Sequence, residues 1–164
     1  RNRSGKEYGY AYLVESRYRQ NGPRQRIKAY LGRVYQAKAV VGARQSLEQV
    51  CSVPFALEWL IGRELGLRGF VKSKGVWTDG TVLVNLEERY VRDIASNKTV
   101  GLGLNDGFLC EDTLKKVFGF IPPKSIEKTI AKAFARVVLD VGIFVSREEF
   151  ILLFKALKSN KYAL

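Results

Sequence analysis

The chain of 164 residues carries 28 Lys+Arg against 16 Asp+Glu, a net charge of +12, with no His, two Cys and 46% hydrophobic residues. That length suits one compact domain, or a small domain with an appended hairpin, and no apolar run reaches the roughly 18–20 residues of a membrane-spanning helix. Without histidine there is no Ser-His-Asp or Cys-His relay and no His-bearing zinc site, and two cysteines make neither a four-cysteine metal site nor a disulfide framework. Cys51 and Cys110 are therefore expected to be reduced, buried thiols of a cytoplasmic protein that carries no cofactor. A chain that opens on Arg1 rather than Met is expected to have been trimmed, processed or drawn from a longer one, and its basic start lacks the apolar stretch of a signal peptide.

The charge is concentrated at one end. Residues 1–44 hold 11 basic and two acidic residues, a local charge of +9, which leaves +3 for the other 120 residues. A dense positive field attracts polyanions through counterion release, and the excess of Arg over Lys suits bidentate phosphate contacts.

Residues 8–18 alternate with Tyr8, Tyr10, Tyr12, Val14, Ser16 and Tyr18 on one parity, which predicts a strand. Asn21-Gly22 is a hairpin turn signal, and residues 24–31 form a second alternating run. With Asn21-Gly22 as the loop, Arg17 faces Arg26, Glu15 faces Lys28 and Val14 faces Ala29. One face then carries Tyr12, Val14, Ser16, Tyr18, Gln25, Ile27, Ala29 and Leu31, and is expected to rest on a core. The other carries Leu13, Glu15, Arg17, Arg19, Arg24, Arg26, Lys28 and Tyr30. Opposed like charges destabilise a ribbon unless a polyanion compensates them. A two-stranded ribbon also fits the major groove of duplex DNA, and a cationic tip equally suits structured RNA. The candidate nucleic-acid contacts are Arg17, Arg19, Arg24, Arg26, Lys28, Tyr30 and Arg33 on the hairpin, with Arg3 and Lys6 before it.

The run Arg3-Ser4-Gly5-Lys6, then Tyr12-Leu13-Val14-Glu15-Ser16, Asn21-Gly22, Arg24-Gln25-Arg26 and Ala29-Tyr30-Leu31-Gly32-Arg33 resembles the opening segment of a group of insertion-sequence transposases. There a similar leader, a strand, a Gly-containing turn and a second strand, precedes a DDE catalytic domain. The resemblance covers about the first 35 residues. The chain is too short for an RNase H-like catalytic domain and offers no evident acidic triad, so the resemblance implies attachment to nucleic acid without strand transfer.

Beyond the hairpin, residues 34–44 read as a connector or short helix, and Ser46 with Gln49 as a capping box. Pro54 then opens a helix that runs to about Leu65, where Gly66 ends it. Trp59 is expected to anchor the core. Residues 70–84 read as extended, with Asp79-Gly80 as a turn. Lys72, Lys74 and Trp77 in that stretch form a candidate second phosphate-and-stacking patch. Residues 86–95 read as a short helix and residues 99–105 as a glycine-bearing loop that lacks the phosphate-binding fingerprint. Residues 111–118 form a helix stopped by Gly119. Pro122-Pro123 opens another, with Ile126, Ile130, Phe134, Val137, Val138 and Val141 as its buried stripe and Lys124, Lys128, Lys132 and Arg136 on another side. Ser146 with Glu149 caps a last helix whose inward stripe is Phe150, Leu153, Phe154 and Leu157.

The expected fold class is α+β: an N-terminal β-hairpin and a small antiparallel sheet packed with a mainly helical C-terminal part. A basic hairpin arm over residues 1–44 precedes a body over residues 45–164, or the two form one domain. The expected function is non-catalytic nucleic-acid binding, with duplex DNA favoured by the resemblance and RNA of a ribosome or another ribonucleoprotein as the alternative. Two other classes remain open: a metal-dependent nuclease using Asp79, Glu87 or Asp93, and a module that docks its basic hairpin on an acidic protein.

Overall fold

The computed structural model describes residues 9–19 and 22–159, and the side chain of Arg19 also lies outside what is described. The fold is α+β, with four helices and two four-stranded sheets among the described residues. The first sheet has the order β1-β2-β7-β8, from β1 (Gly9–Arg19), β2 (Gly22–Gln36), β7 (Val100–Leu104) and β8 (Gly107–Leu109). The second is a meander of β3 (Val71–Ser73), β4 (Val76–Thr78), β5 (Val82–Asn85) and β6 (Tyr90–Asp93). The helices are α1 (Val53–Gly66), α2 (Glu111–Phe118), α3 (Glu127–Asp140) and α4 (Arg147–Ser159).

α1 begins where the sequence places it. The Ser52 side chain accepts the Phe55 N–H at 3.3 Å, with Pro54 in the first turn, where no intrahelical donor is needed. The helix is apolar on most of its circumference because it is enclosed: Ala56, Leu57, Leu60, Ile61 and Leu65 are buried among Val82, Val84 and Val91 of the meander, Leu102, Leu104 and Leu109 of the first sheet, and Leu114, Phe134 and Leu153 of α2, α3 and α4. One hydrophobic core therefore joins both sheets to all four helices. α2 ends at Gly119 as expected, and the Ser146–Glu149 capping box forms in both directions, at 2.9 and 3.2 Å. Phe134 against Phe150 and Lys158 against Glu127 set α3 and α4 side by side in opposite directions.

Several elements depart from the sequence reading. Residues 86–95 hold no helix: Asn85 accepts the Glu88 N–H, Arg89 adopts a φ of +59°, and the turn delivers β6, in which Val91 and Asp93 point inward. Residues 99–105 are not a loop but β7, all five of whose residues are buried. At Gly103 the missing side chain leaves space for the Gln36 side chain of β2, whose Oε1 would lie 2.4 Å from a Cβ there. No helix forms over 34–44 or after Ser46; β2 continues to Gln36 and coil follows to Ser52. α3 starts only at Glu127, so Ile126 is exposed rather than buried, and Cys51 is exposed while Cys110 is buried. Among the described residues no helix is long and apolar enough to cross a membrane.

Candidate functional site

β1 and β2 form an antiparallel ribbon, and only the end of β2, Arg33 to Gln36, joins the body by pairing in parallel with Val100 to Gly103. The rest projects. Its register differs from the expected one: Arg19 faces Gly22, Arg17 faces Arg24, Ser16 faces Gln25 and Glu15 faces Arg26. Gly22, with a φ of +97°, takes the first ladder position of β2, a conformation open to glycine. Asn21 of the expected turn lies outside the described residues, as do Arg3 and Lys6.

Two register shifts follow, with Lys28 and Leu31 as the extra residues on β2. The first moves Tyr30 off the cationic face. It pairs with Tyr12, their ring centroids 5.4 Å apart, and lies 6.2 Å from the ring of Tyr10. By the same shift Ala29 leaves the tyrosine face and pairs with Leu13. At the second shift Gly32 has a φ of +107°, and a Cβ there would lie 2.3 Å from Thr99 O, so only glycine lets β2 pass this close to β7.

The tyrosine face does not rest on a core. Tyr10, Tyr12, Val14 and Tyr30 are about half exposed, Ile27 is 62% exposed and Tyr18 88%. The opposite face brings Arg17, Arg24 and Arg26 together, and Lys28 reaches in from the bulge. Glu15 is the one carboxylate of the two strands; it pairs with Arg17 at 3.1 Å and with Lys28 at 3.3 Å, all three at the surface. Neither Arg24 nor Arg26 has an acidic partner among the described residues. Four cations thus share one carboxylate on a surface open to water, where opposed like charges repel one another.

Arg33 sits apart, at the ribbon's base, where its guanidinium stacks over Tyr35 at 4.8 Å. Tyr35 Oη donates to Asp93 Oδ2 at 2.5 Å, and Asp93 Oδ1 accepts from Ser96 N at 2.6 Å and Ser96 Oγ at 2.7 Å. The Tyr35 hydroxyl first, and the two Ser96 donors after it, lower the Asp93 pKa from 3.8 to about 2. Because the folded value is depressed, this stabilisation is complete above the unfolded pKa and is lost as the pH falls through about 2. The urea midpoint is accordingly expected to fall between about pH 5 and pH 2 more steeply in the native chain than in Asp93→Asn; parallel profiles would contradict the assignment.

Asp93 is thus spent on tying the ribbon's base to the meander, and Asp79 on a turn, where its Oδ1 accepts from Thr81 N and Val82 N at 2.9 Å. Among the described residues no three Cys, Asp or Glu side chains gather as metal ligands. Lys72 stands over the Trp77 ring at 5.9 Å, so these two members of the second patch do meet. Lys74 occupies the β3–β4 turn, exposed, with a φ of +48°.

The sequence reading missed the charged groups buried beneath these surfaces. Glu64 on α1 is fully buried and binds Arg44, Arg68 and Asn105, while Arg63 pairs with Glu149 and donates to Gln45 O and Phe144 O. Arg63-Glu64 in the apolar second half of α1, with Arg68 four residues beyond Glu64, was the available signal. No protein-family model, curated protein or solved structure matches the chain.

Proposed function

We propose that this is a non-catalytic nucleic-acid-binding protein whose ribbon lays Arg17, Arg24, Arg26 and Lys28 along a phosphate backbone. One observation carries the reading: four exposed cations share a single carboxylate on one face of a projecting ribbon. Guanidinium groups on such a face give charge-assisted contacts to phosphate oxygens, and release of condensed counterions drives association. Duplex DNA is the favoured partner, since a two-stranded ribbon fits a major groove about 12 Å wide. The transposase-like leader supports the same choice and casts the ribbon as an attachment module. Structured RNA is the second reading, favoured by the exposed tyrosines of the opposite face, which offer rings to unstacked bases. Either partner sets the protein in the cytoplasm, on the nucleoid or in a ribonucleoprotein.

Salt titration tests the proposal. Four phosphate contacts give a slope of about −3 to −4 in log affinity against log salt for duplex DNA. A slope near zero would remove the electrostatic basis of the reading, and competition between duplex DNA and structured RNA decides between the partners.

A further inference from the structure

A pocket of about 550 Å³ opens between α1 and the β3–β4 hairpin, within the roughly 300–1,000 Å³ usual for small-molecule sites. Both tryptophans of the chain, Trp59 and Trp77, line it together with Phe55, Glu58, Lys72 and Glu87. Its aromatic walls are held in place. Trp77 lies against α1 where Gly62 omits a side chain, since a Cβ there would come within 2.8 Å of Trp77 Cζ2. Trp59 lies under the Arg63 guanidinium at 5.2 Å, and Arg63 is itself anchored by Glu149 at 2.5 Å. The pocket therefore combines fixed indoles with three exposed charges: one ammonium and two carboxylates.

A ligand that answers all of these has a flat ring to stack on indole, N–H groups on the ring edge to donate to a carboxylate, and an anion for Lys72 Nζ. A quaternary ammonium is repelled by Arg63 and Lys72, the cations beside the two indoles, whereas an uncharged ring is not. An apolar partner segment would strip water from Glu58 and Glu87 without pairing them. We infer that the pocket binds the unpaired base of a nucleotide, its ring against the tryptophans, its amino edge on Glu58 or Glu87 and its phosphate on Lys72. Preferring a nucleotide to another phosphorylated aromatic rests on the nucleic-acid reading above.

Guanosine 5′-monophosphate is the suitable probe, because its ring N–H and amine lie on one edge and match a carboxylate. With both tryptophans in the pocket, intrinsic fluorescence of the full chain reports occupancy. Saturable quenching is expected, weakened about tenfold in Lys72→Ala and in the double variant Glu58→Gln/Glu87→Gln, each the loss of a charge-assisted contact at an exposed position. Ribose 5-phosphate, which has the anion without the ring, should leave the emission unchanged. The inference is overturned by the absence of saturable quenching, by equal quenching from ribose 5-phosphate, or by undiminished affinity in both variants. Quenching retained in a chain with Arg17, Arg24 and Arg26 all replaced by Ala keeps this test separate from the ribbon: an unchanged salt slope in that variant with nucleotide binding intact sinks the ribbon reading alone, and a flattened slope without saturable nucleotide binding in either chain sinks the pocket alone.

Discussion

Replacing Arg17, Arg24 and Arg26 together by alanine is expected to weaken binding to duplex DNA about 100-fold at 0.15 M salt. The magnitude comes from counterion release: each phosphate contact contributes about 0.9 to the salt exponent, so three removed contacts flatten the slope by about 2.7, and extrapolating from 1 M, where the effect vanishes, gives that loss. The fold should survive. The three side chains lie on the exposed part of the ribbon, Arg17 and Arg24 face each other unfavourably, and their removal relieves repulsion rather than packing. Thermal melting within about 2 °C of the native chain, which corresponds to less than 1 kcal/mol for a protein of this size, would show that binding and not folding was lost. Full affinity in the triple variant would mean that the polyanion is held elsewhere or not at all. Replacing Glu15 by Gln makes the opposite prediction on the same face: one carboxylate fewer beside Arg17 and Lys28 should raise the affinity.

Glu64→Ala is expected to cost the most stability of any single change. Glu64 is fully buried at the meeting of α1, the coil that follows β2 and the β7–β8 turn, where it accepts from Arg44 at 2.7 Å, Arg68 at 2.5 Å and Asn105 at 3.3 Å. Burial alone would raise its pKa, but the hydrogen bonds from Arg44, Arg68 and Asn105 outweigh it and hold the carboxyl below its ordinary range. Removing the carboxylate strands the Arg68 guanidinium, whose side chain is 4% exposed, without its counter-charge. Breaking one side of a buried pair costs about 3–5 kcal/mol, which for a chain of this length lowers the melting temperature by about 6–20 °C. A midpoint within 2 °C of the native chain would show that the cluster contributes little. Glu64→Gln keeps the shape and loses the charge, so most of the same loss is expected there, which separates electrostatics from volume.

Legibility followed the range of the interactions. The start of α1 at Pro54, the stop of α2 at Gly119 and the Ser146–Glu149 box are set by residues within one turn of one another, and all three were readable, although the cap of α1 is Ser52 and not Ser46. β6 and β7 were not. Read locally, residues 86–95 look helical and the two glycines of β7 look like a loop, yet these segments make a turn and two strands because Val91, Val100, Leu102 and Leu104 find a core built from distant segments. The cationic face lies between these cases. The register expected for the tip was wrong by two residues, and a slip of two leaves every side chain on its own face, so Arg17, Arg24 and Arg26 still converge. The bulge at Lys28 adds a single residue, and a slip of one exchanges faces, which is why Tyr30 and Ala29 moved.

By itself the sequence determined the α+β class, the start of α1, the stop of α2, the Ser146–Glu149 box and the gathering of basic residues on one hairpin, because caps, alternation and charge density are properties of neighbours in the chain. Only the tertiary structure decided that the hairpin stands clear of the core on both faces, that its base is held by Tyr35 and Asp93, and that Trp59 and Trp77 share a pocket. Each of these depends on contacts between residues many positions apart, which form only when one hydrophobic core brings them together.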